Sequence, residues 1–341
     1  PVEIEAEDDC LRLFQPVARL AKLYVEPTVR CNLACRTCIR NAWDEPAGDM
    51  TATAFAAVVA GLREFTPPPT VFFGGFGEPL AHEGIVDMVA AVKSLGCAVE
   101  LITNGVLLSE QLSRQLIAAG LDRLWVSLDG ARPESYADVR LGAALPAVLK
   151  NVQRFSDSRP YRRALEPYRK SIGPYESARK PEIGIAFVAM RRNIADLPRV
   201  LDLGRTLGAT QYLVTNVLPY TPEMCDETLY ELSLGDAVRS PSPWAPHVDL
   251  PRMDINKRTA PVLHEVLLRR QHSFSLAGRT VNDDHNRCPF IEADALVVGA
   301  AGVVSPCLPL LHDHVSYLNG RERRSRSYVI GNLVEDGLGN L

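Results

Sequence analysis

CNLACRTC, residues 31–38, puts three cysteines at spacings of four and three, directly behind KLYVEPTV, residues 22–29, whose β-branched and aromatic content reads as a strand. A structural zinc site would need four ligands in tetrahedral geometry, and the nearest other candidates, His82 and Cys97, lie more than forty residues on. A disulfide would use two of the thiols and strand the third. A four-iron cluster held by three thiolates leaves one iron open, which a small molecule carrying an amine and a carboxylate could chelate.

The rest of the chain narrows the choice. Its 341 residues are enough for one large α/β domain with a small appendage. A net charge of −4 with no long single-sign block gives no electrostatic reason to expect nucleic acid or an anionic membrane surface as partner. No apolar run reaches the roughly 18 residues of a membrane span, and the first thirty residues show no charged-then-apolar leader, so the expected location is cytoplasmic. In a reducing compartment, clustered cysteines point to metal ligation or catalysis.

Short β-rich runs alternate with helical patterns: Leu23–Val29, Thr70–Phe73, Ala98–Thr103, Arg123–Leu128, Glu182–Met190 and Gln211–Val217. Six β–α units in succession predict a parallel sheet with helices outside, open or closed into a partial barrel, with ligands at the C-terminal ends of the strands. The cysteine cluster, FGGFGEP (73–79), TNG (103–105), SLDG (127–130), MRRN (190–193) and TN (215–216) then share one rim. An insertion with Tyr161, Tyr168 and Tyr175 among arginines and lysines is either a lid or an exposed basic loop. The expected division is an N-terminal extension (1–20), a core (21–235), a Pro-rich connector with one helix (236–280) and a small hairpin-based domain (281–341).

On these motifs the sequence resembles the radical S-adenosylmethionine (SAM) superfamily, with Cys31, Cys35 and Cys38 as its CxxxCxxC. The resemblance implies a partial (β/α)6 TIM barrel, a [4Fe-4S] cluster on those three cysteines, SAM on the open iron, and an external one-electron donor such as flavodoxin or ferredoxin. It also implies roles. Gly74, Gly75, Gly77 and Glu78 stand where the family's glycine-rich turn meets the SAM amino group. Ser127 and Arg140, with Asp129 beside them, stand where its carboxylate is held; Asp129 could equally cap the next helix. Thr103, Asn104, Asn193 and Asn216 fall near the ribose or substrate, although Asn at strand ends also serves turns. Cys288 and Cys307, in C…GVVSPC, resemble the start of the auxiliary-cluster domains called SPASM and Twitch, which implies an auxiliary iron–sulfur cluster. The further cysteines such domains supply are not in these 341 residues.

Substrate contacts are read from position. Glu26 and Arg30 project from strand one toward the cluster, although Glu26 precedes a proline and could equally serve a purely local role. Arg191 and Arg192 follow strand five, and Cys225 after strand six is a candidate hydrogen-atom donor, although a lone cysteine is more often a small buried apolar residue. Cys10 and Cys97 read as structural. Within the superfamily, GDM, NVLPYTPEM, DLPRMD and GRERRSRSYVIGNL resemble maturases of tungsten-cofactor oxidoreductases and also a decarboxylase of nucleoside sugar acids in antibiotic pathways. The Ala- and Arg-rich composition favours the second, so the expectation is a carboxy-lyase acting on a small polar sugar or nucleoside, with a peptide- or protein-modifying enzyme as the alternative.

Overall fold

The computed structural model describes residues 3–7, 10–14, 19–43, 46–160, 181–230, 247–251, 253–268, 273–276, 289–318 and 321–341. The tyrosine- and arginine-containing insertion after residue 160 and the candidate ligand Cys288 lie outside them.

A hairpin of β1 (Glu3–Glu7) and β2 (Cys10–Phe14) precedes the core. Six core strands with helices between them follow: β3 (Lys22–Val25), α1 (Ala52–Leu62), β4 (Thr70–Phe73), α2 (Ile85–Ser94), β5 (Val99–Thr103), α3 (Glu110–Ala118), β6 (Arg123–Ser127), α4 (Pro133–Val139), α5 (Leu145–Ser158), β7 (Glu182–Ala189), α6 (Leu197–Thr206) and β8 (Ala209–Asn216). Strands β3 to β8 pair in parallel, in sequence order, as a partial (β/α)6 barrel. Thr51 and Ser109 start α1 and α3 by accepting the amides of Ala54 and Leu112, satisfying N–H groups that a helix start leaves unpaired. Helix α1 buries Ala54, Val58, Gly61 and Leu62, one stripe at helical spacing, against the sheet.

Strands β3, β4 and β6 alternate partly and fully buried residues, and the core-facing Leu23, Val25, Val71, Phe73, Leu124 and Val126 join Leu101, Ile183 and Ile185 in one cluster. At the strands' N-terminal ends, Lys22, Glu100, Arg123 and Glu182 form a linked ion-pair chain at 3.0, 2.6 and 2.7 Å. That end is closed by charge pairing, and the opposite end is left for chemistry.

Three features depart from the expected pattern. The first core strand stops at Val25 rather than Val29, because Glu26 precedes Pro27 and the chain turns there. The segment read as a connector carries β9 (His247–Leu250), α7 (Thr259–Leu268) and β10 (Ser273–Leu276), and both strands continue the parallel sheet beyond β8. Four-residue strands give little periodicity to read, and β9 also lies between Pro246 and Pro251. On the other edge, β11 (Ala295–Val298) pairs in parallel with β3, and β12 (Val303–Ser305) turns back against it. The hairpin β13 (His314–Leu318) with β14 (Arg321–Ser325) stands apart, and β15 (Gly331–Asn332) closes the eleven-stranded sheet against β12. Leu338 then packs onto α1 where Gly61 has no side chain. The C-terminal strands are thus built onto the core's first strand, next to the cysteine loop.

Candidate active site

The loop from Glu26 to Thr51 carries the three cysteines, and it is fixed by its own polar residues. Asn41 donates its side-chain amide to the carbonyls of Cys35 and Arg36, Arg40 donates to Leu33 O, and the amides of Ala34 and Arg36 bond the carbonyls of Leu141 and Val139. Those last bonds bring the cysteine loop against Arg140.

All three cysteines are free thiols and line one cavity of about 370 Å³ at the C-terminal rim. Around it stand Gly75, Phe76, Gly77 and Glu78 after β4, Thr103 and Asn104 at the end of β5, Ser127 at the end of β6, Arg140, Thr215 and Asn216 at the end of β8, and Val217, Leu218 and Tyr220 just beyond it. Burial pushes the Cys35 and Cys38 thiols up, opposed at Cys35 by the Arg140 charge and at Cys38 by a hydrogen bond from the Arg40 backbone. Leu33 N–H points at Cys31 Sγ at 3.4 Å, and Arg140 Nη1 lies 3.9 Å from Cys35 Sγ.

Among the described residues no three His, Cys, Asp or Glu side chains converge as a single metal ion would require. A four-iron cluster engages each cysteine through a different iron and does not need that convergence. The donor set fits such a cluster: three unpaired thiols on one wall, with a buried cation and a backbone N–H directed at sulfur. The Tyr136 hydroxyl, fully buried and without a hydrogen-bond partner, sits within electrostatic reach of Arg140 and Cys35.

The turn Gly74–Glu78 has the shape of a cradle. Gly75 holds φ +123°, and a Cβ there would fall 2.6 Å from Glu26 Oε1. A Cβ on Gly77 would collide with the Thr28 carbonyl and lie 2.9 Å from that of Arg30. Gly77→Ala is therefore expected to cost roughly 1–3 kcal/mol through overpacking and to raise the KM for SAM, readable by denaturation and by 5′-deoxyadenosine kinetics.

Of the sequence candidates, Glu78 and Asn104 line the cavity and also brace it, whereas Asp129 and Asn193 lie behind the lining. Glu78 is buried, and desolvation holds its pKa above the ordinary range; Oε1 accepts from Leu80 N–H and the Thr103 hydroxyl, and Oε2 from Asn104 N–H, so it clamps two strand ends together. Asn104 in turn donates to Asn32 at 2.8 Å beside Cys31. Asp129, wholly buried, accepts Arg140 Nε and Nη2 at 2.6 Å through Oδ2 and Val188 N–H through Oδ1. It orients Arg140 and does not cap a helix. Burial disfavours the Arg140 charge, but Asp129 and Cys35 outweigh it and hold the pKa above its usual value. Asn193 bonds Met190 N–H and the carbonyls of Asp129 and Val188, pinning the loop after β7 rather than lining the cavity.

The expected substrate residues are placed elsewhere. Glu26 is buried under the glycine turn. Arg30 pairs with Asp49, Arg191 donates to Thr228 O, and Arg192 bridges Asp138 and Glu227 at 2.8 Å. Cys225 sits in the turn Pro222–Glu227, and neither it nor the three arginines is among the lining residues. Arg192→Ala is expected to cost no more than about 1 kcal/mol for a partly exposed pair, with substrate KM unchanged in the same assay. Cys307 begins the turn Leu308–Leu310 and is half-buried. Residues that sequence reasoning missed include Asn32, Asn41, Tyr220 and His312; only the position of Tyr220 after the sixth core strand could have found one of them.

A model of the Radical SAM superfamily matches residues 25–169. The tungsten-containing aldehyde ferredoxin oxidoreductase cofactor-modifying protein of Pyrococcus furiosus is 30% identical over 319 residues, covering 94% of this chain and 80% of that protein. A probable GTP 3′,8-cyclase of Methanococcus maripaludis is 28% identical over 199 residues, 58% of this chain and 59% of the cyclase. Among solved structures, Streptococcus suis SuiB bound to precursor peptide SuiA superposes with TM-score 0.60 at 14% identity, covering 94% of this chain and 64% of SuiB. Native anSMEcpe with bound AdoMet and Cp18Cys peptide gives 0.57 at 16% identity, covering 94% of this chain and 79% of that one. The chain thus spans less than two-thirds of the cyclase and of SuiB, and the two structures share its fold. With a cysteine triad, glycine cradle and buried Arg140 on one rim of a partial barrel, the chain belongs to the radical SAM superfamily, whose cofactors are a [4Fe-4S] cluster and SAM.

Proposed function

We propose that the protein is a radical SAM enzyme that modifies the cofactor of a metal-dependent oxidoreductase. The observation that carries this is the extent of the similarity. At 319 aligned residues, the likeness to the cofactor-modifying protein runs through the C-terminal strands, whereas the 199 residues shared with the cyclase amount to little more than a core. The shared part therefore includes the segment that packs beside the SAM turn.

In this reading Cys31, Cys35 and Cys38 hold the cluster, and the cradle of Gly75 and Gly77 with Ser127 and Arg140 holds SAM. When bound, the pair supplies one-electron reductive cleavage of SAM to a 5′-deoxyadenosyl radical that takes a hydrogen atom from substrate. The protein's own contributions are positional. Asp129 fixes the Arg140 fork, Glu78 holds the turn to the end of β5, and the apolar wall of Ile39, Val188, Val217 and Leu218 limits water at the site. Thr215, Asn216 and Tyr220 face substrate; burial pushes the Tyr220 phenol up to about 12, so it remains an O–H donor at neutral pH.

Sugar-acid decarboxylation lacks its expected cations, because Arg30, Arg191 and Arg192 are engaged away from the cavity. The reductant is a one-electron donor of the flavodoxin or ferredoxin class, and an auxiliary cluster would draw on Cys307. The test is anaerobic turnover of reconstituted enzyme with SAM and reductant, with either a tungsten-cofactor oxidoreductase and its free cofactor or a panel of nucleoside uronic acids. Matching 5′-deoxyadenosine and a mass change in the cofactor is the expected result; CO2 loss from a uronic acid, with the cofactor untouched, would reverse the assignment.

A further inference from the structure

His312 lies between β12 and β13, 286 positions from Glu26, yet its Nε2 stands 2.8 Å from Glu26 Oε2. Glu26 is wholly buried, and its other oxygen accepts the Phe76 N–H at 2.8 Å. The imidazole is held by two aromatic rings: Trp43, centroid 4.4 Å away and tilted 73°, and Phe76, 5.8 Å away. These rings also meet each other edge-on at 5.6 Å. Gly75, with its +123° φ, packs directly against the same carboxylate.

A carboxylate buried to this degree must be hydrogen-bonded, and a carboxylate only accepts, so His312 presents Nε2–H to it. Two hydrogen bonds therefore run from the C-terminal segment through Glu26 to the main chain of the glycine turn, where Gly75 and Phe76 line the cavity. His312 itself does not line it.

We infer that His312 is a positioning residue for SAM: acting through Glu26, it holds the glycine turn in its binding conformation, so the C-terminal segment sets the affinity of the core for its cofactor. The inference rests on the assignment of the 74–78 turn to SAM and is independent of which substrate is modified. Without His312, Glu26 keeps one partner in a buried site and turns toward water, and Phe76 N–H loses its acceptor.

The test compares reconstituted wild type with His312→Ala, His312→Gln, which keeps a side-chain N–H donor, and His312→Phe, which keeps the aromatic packing and cannot donate. Amide hydrogen exchange over residues 74–78 is read by mass spectrometry, and KM for SAM and kcat are read from 5′-deoxyadenosine formation. His312→Ala is expected to speed exchange and raise KM for SAM about tenfold or more, as for a lost hydrogen bond to a charged group, with kcat at saturating SAM near wild type. His312→Gln should recover both. If His312→Ala does not fold, His312→Phe must show the same pair of changes. Unchanged exchange overturns the inference, as does faster exchange with unaltered KM for SAM, which would also remove the turn from SAM binding. Loss of kcat alone would instead make His312 a substrate residue and contradict it.

Discussion

Replacing Cys31, Cys35 or Cys38 singly by alanine is expected to reduce 5′-deoxyadenosine formation to the background of iron-free protein and to remove most of the cluster's visible absorbance after reconstitution. The three cysteines line a single cavity wall as the proposed anchors of the cluster, and among the described residues no other cysteine lines that wall to replace one of them. Iron content and absorbance check the binding half of the claim, and product analysis the catalytic half. The other cysteines serve as controls. Cys97 is fully buried, with its thiol pushed up by burial, so Cys97→Ala should affect folding and leave iron content unchanged. Cys225→Ala should leave turnover near wild type, because the residue lies off the cavity; a selective loss of substrate turnover would restore it as a hydrogen-atom donor.

Asp129→Ala is expected to destabilise the protein by about 3–5 kcal/mol, because it leaves a buried arginine without its counter-charge. The side chains of Asp129 and Arg140 are 0% and 13% exposed, so little water can compensate. The same change frees Val188 N–H and lets the guanidinium swing away from Cys35, so KM for SAM should rise as well. Urea denaturation measures the first effect and 5′-deoxyadenosine kinetics the second. Asp129→Asn keeps the shape and can still accept from Val188 N–H, so it separates the charge from the geometry. A drop below about 1 kcal/mol for Asp129→Ala would mean that Arg140 finds another partner, as surface pairs do.

The sequence carried the barrel clearly. Six short apolar runs with helical stripes between them leave few topologies, and five of the six strands fall within two residues of their expected bounds. The residues that line the rim at Gly75, Gly77, Thr103, Asn104, Ser127 and Arg140 were legible because strand ends and glycine turns place them there. Less legible was how charged side chains would be spent. Arg30, Arg191 and Arg192 follow strands in sequence, but Asp49, Thr228 O and Glu227 are nearer in space than the cavity, and those pairings depend on loop packing that periodicity does not encode. Glu26 looked like a substrate contact and is instead a buried brace whose partner, His312, comes from the far end of the chain. Long-range side-chain pairs of this kind leave no local pattern. The short strands β9 and β10 were hidden for a different reason: four residues are too few to display a period, and β9 also sits between Pro246 and Pro251.

The electron paramagnetic resonance spectrum of the reduced, reconstituted protein, recorded with and without SAM, reads directly whether this cavity joins a three-cysteine cluster to SAM. A reduced-cluster signal whose g-values shift on adding SAM in the wild type, and shift far less at the same SAM concentration in Arg140→Ala, is the predicted result. A cluster signal that SAM leaves unaltered in the wild type would contradict it, reducing the barrel to an iron–sulfur carrier that no longer engages the cofactor.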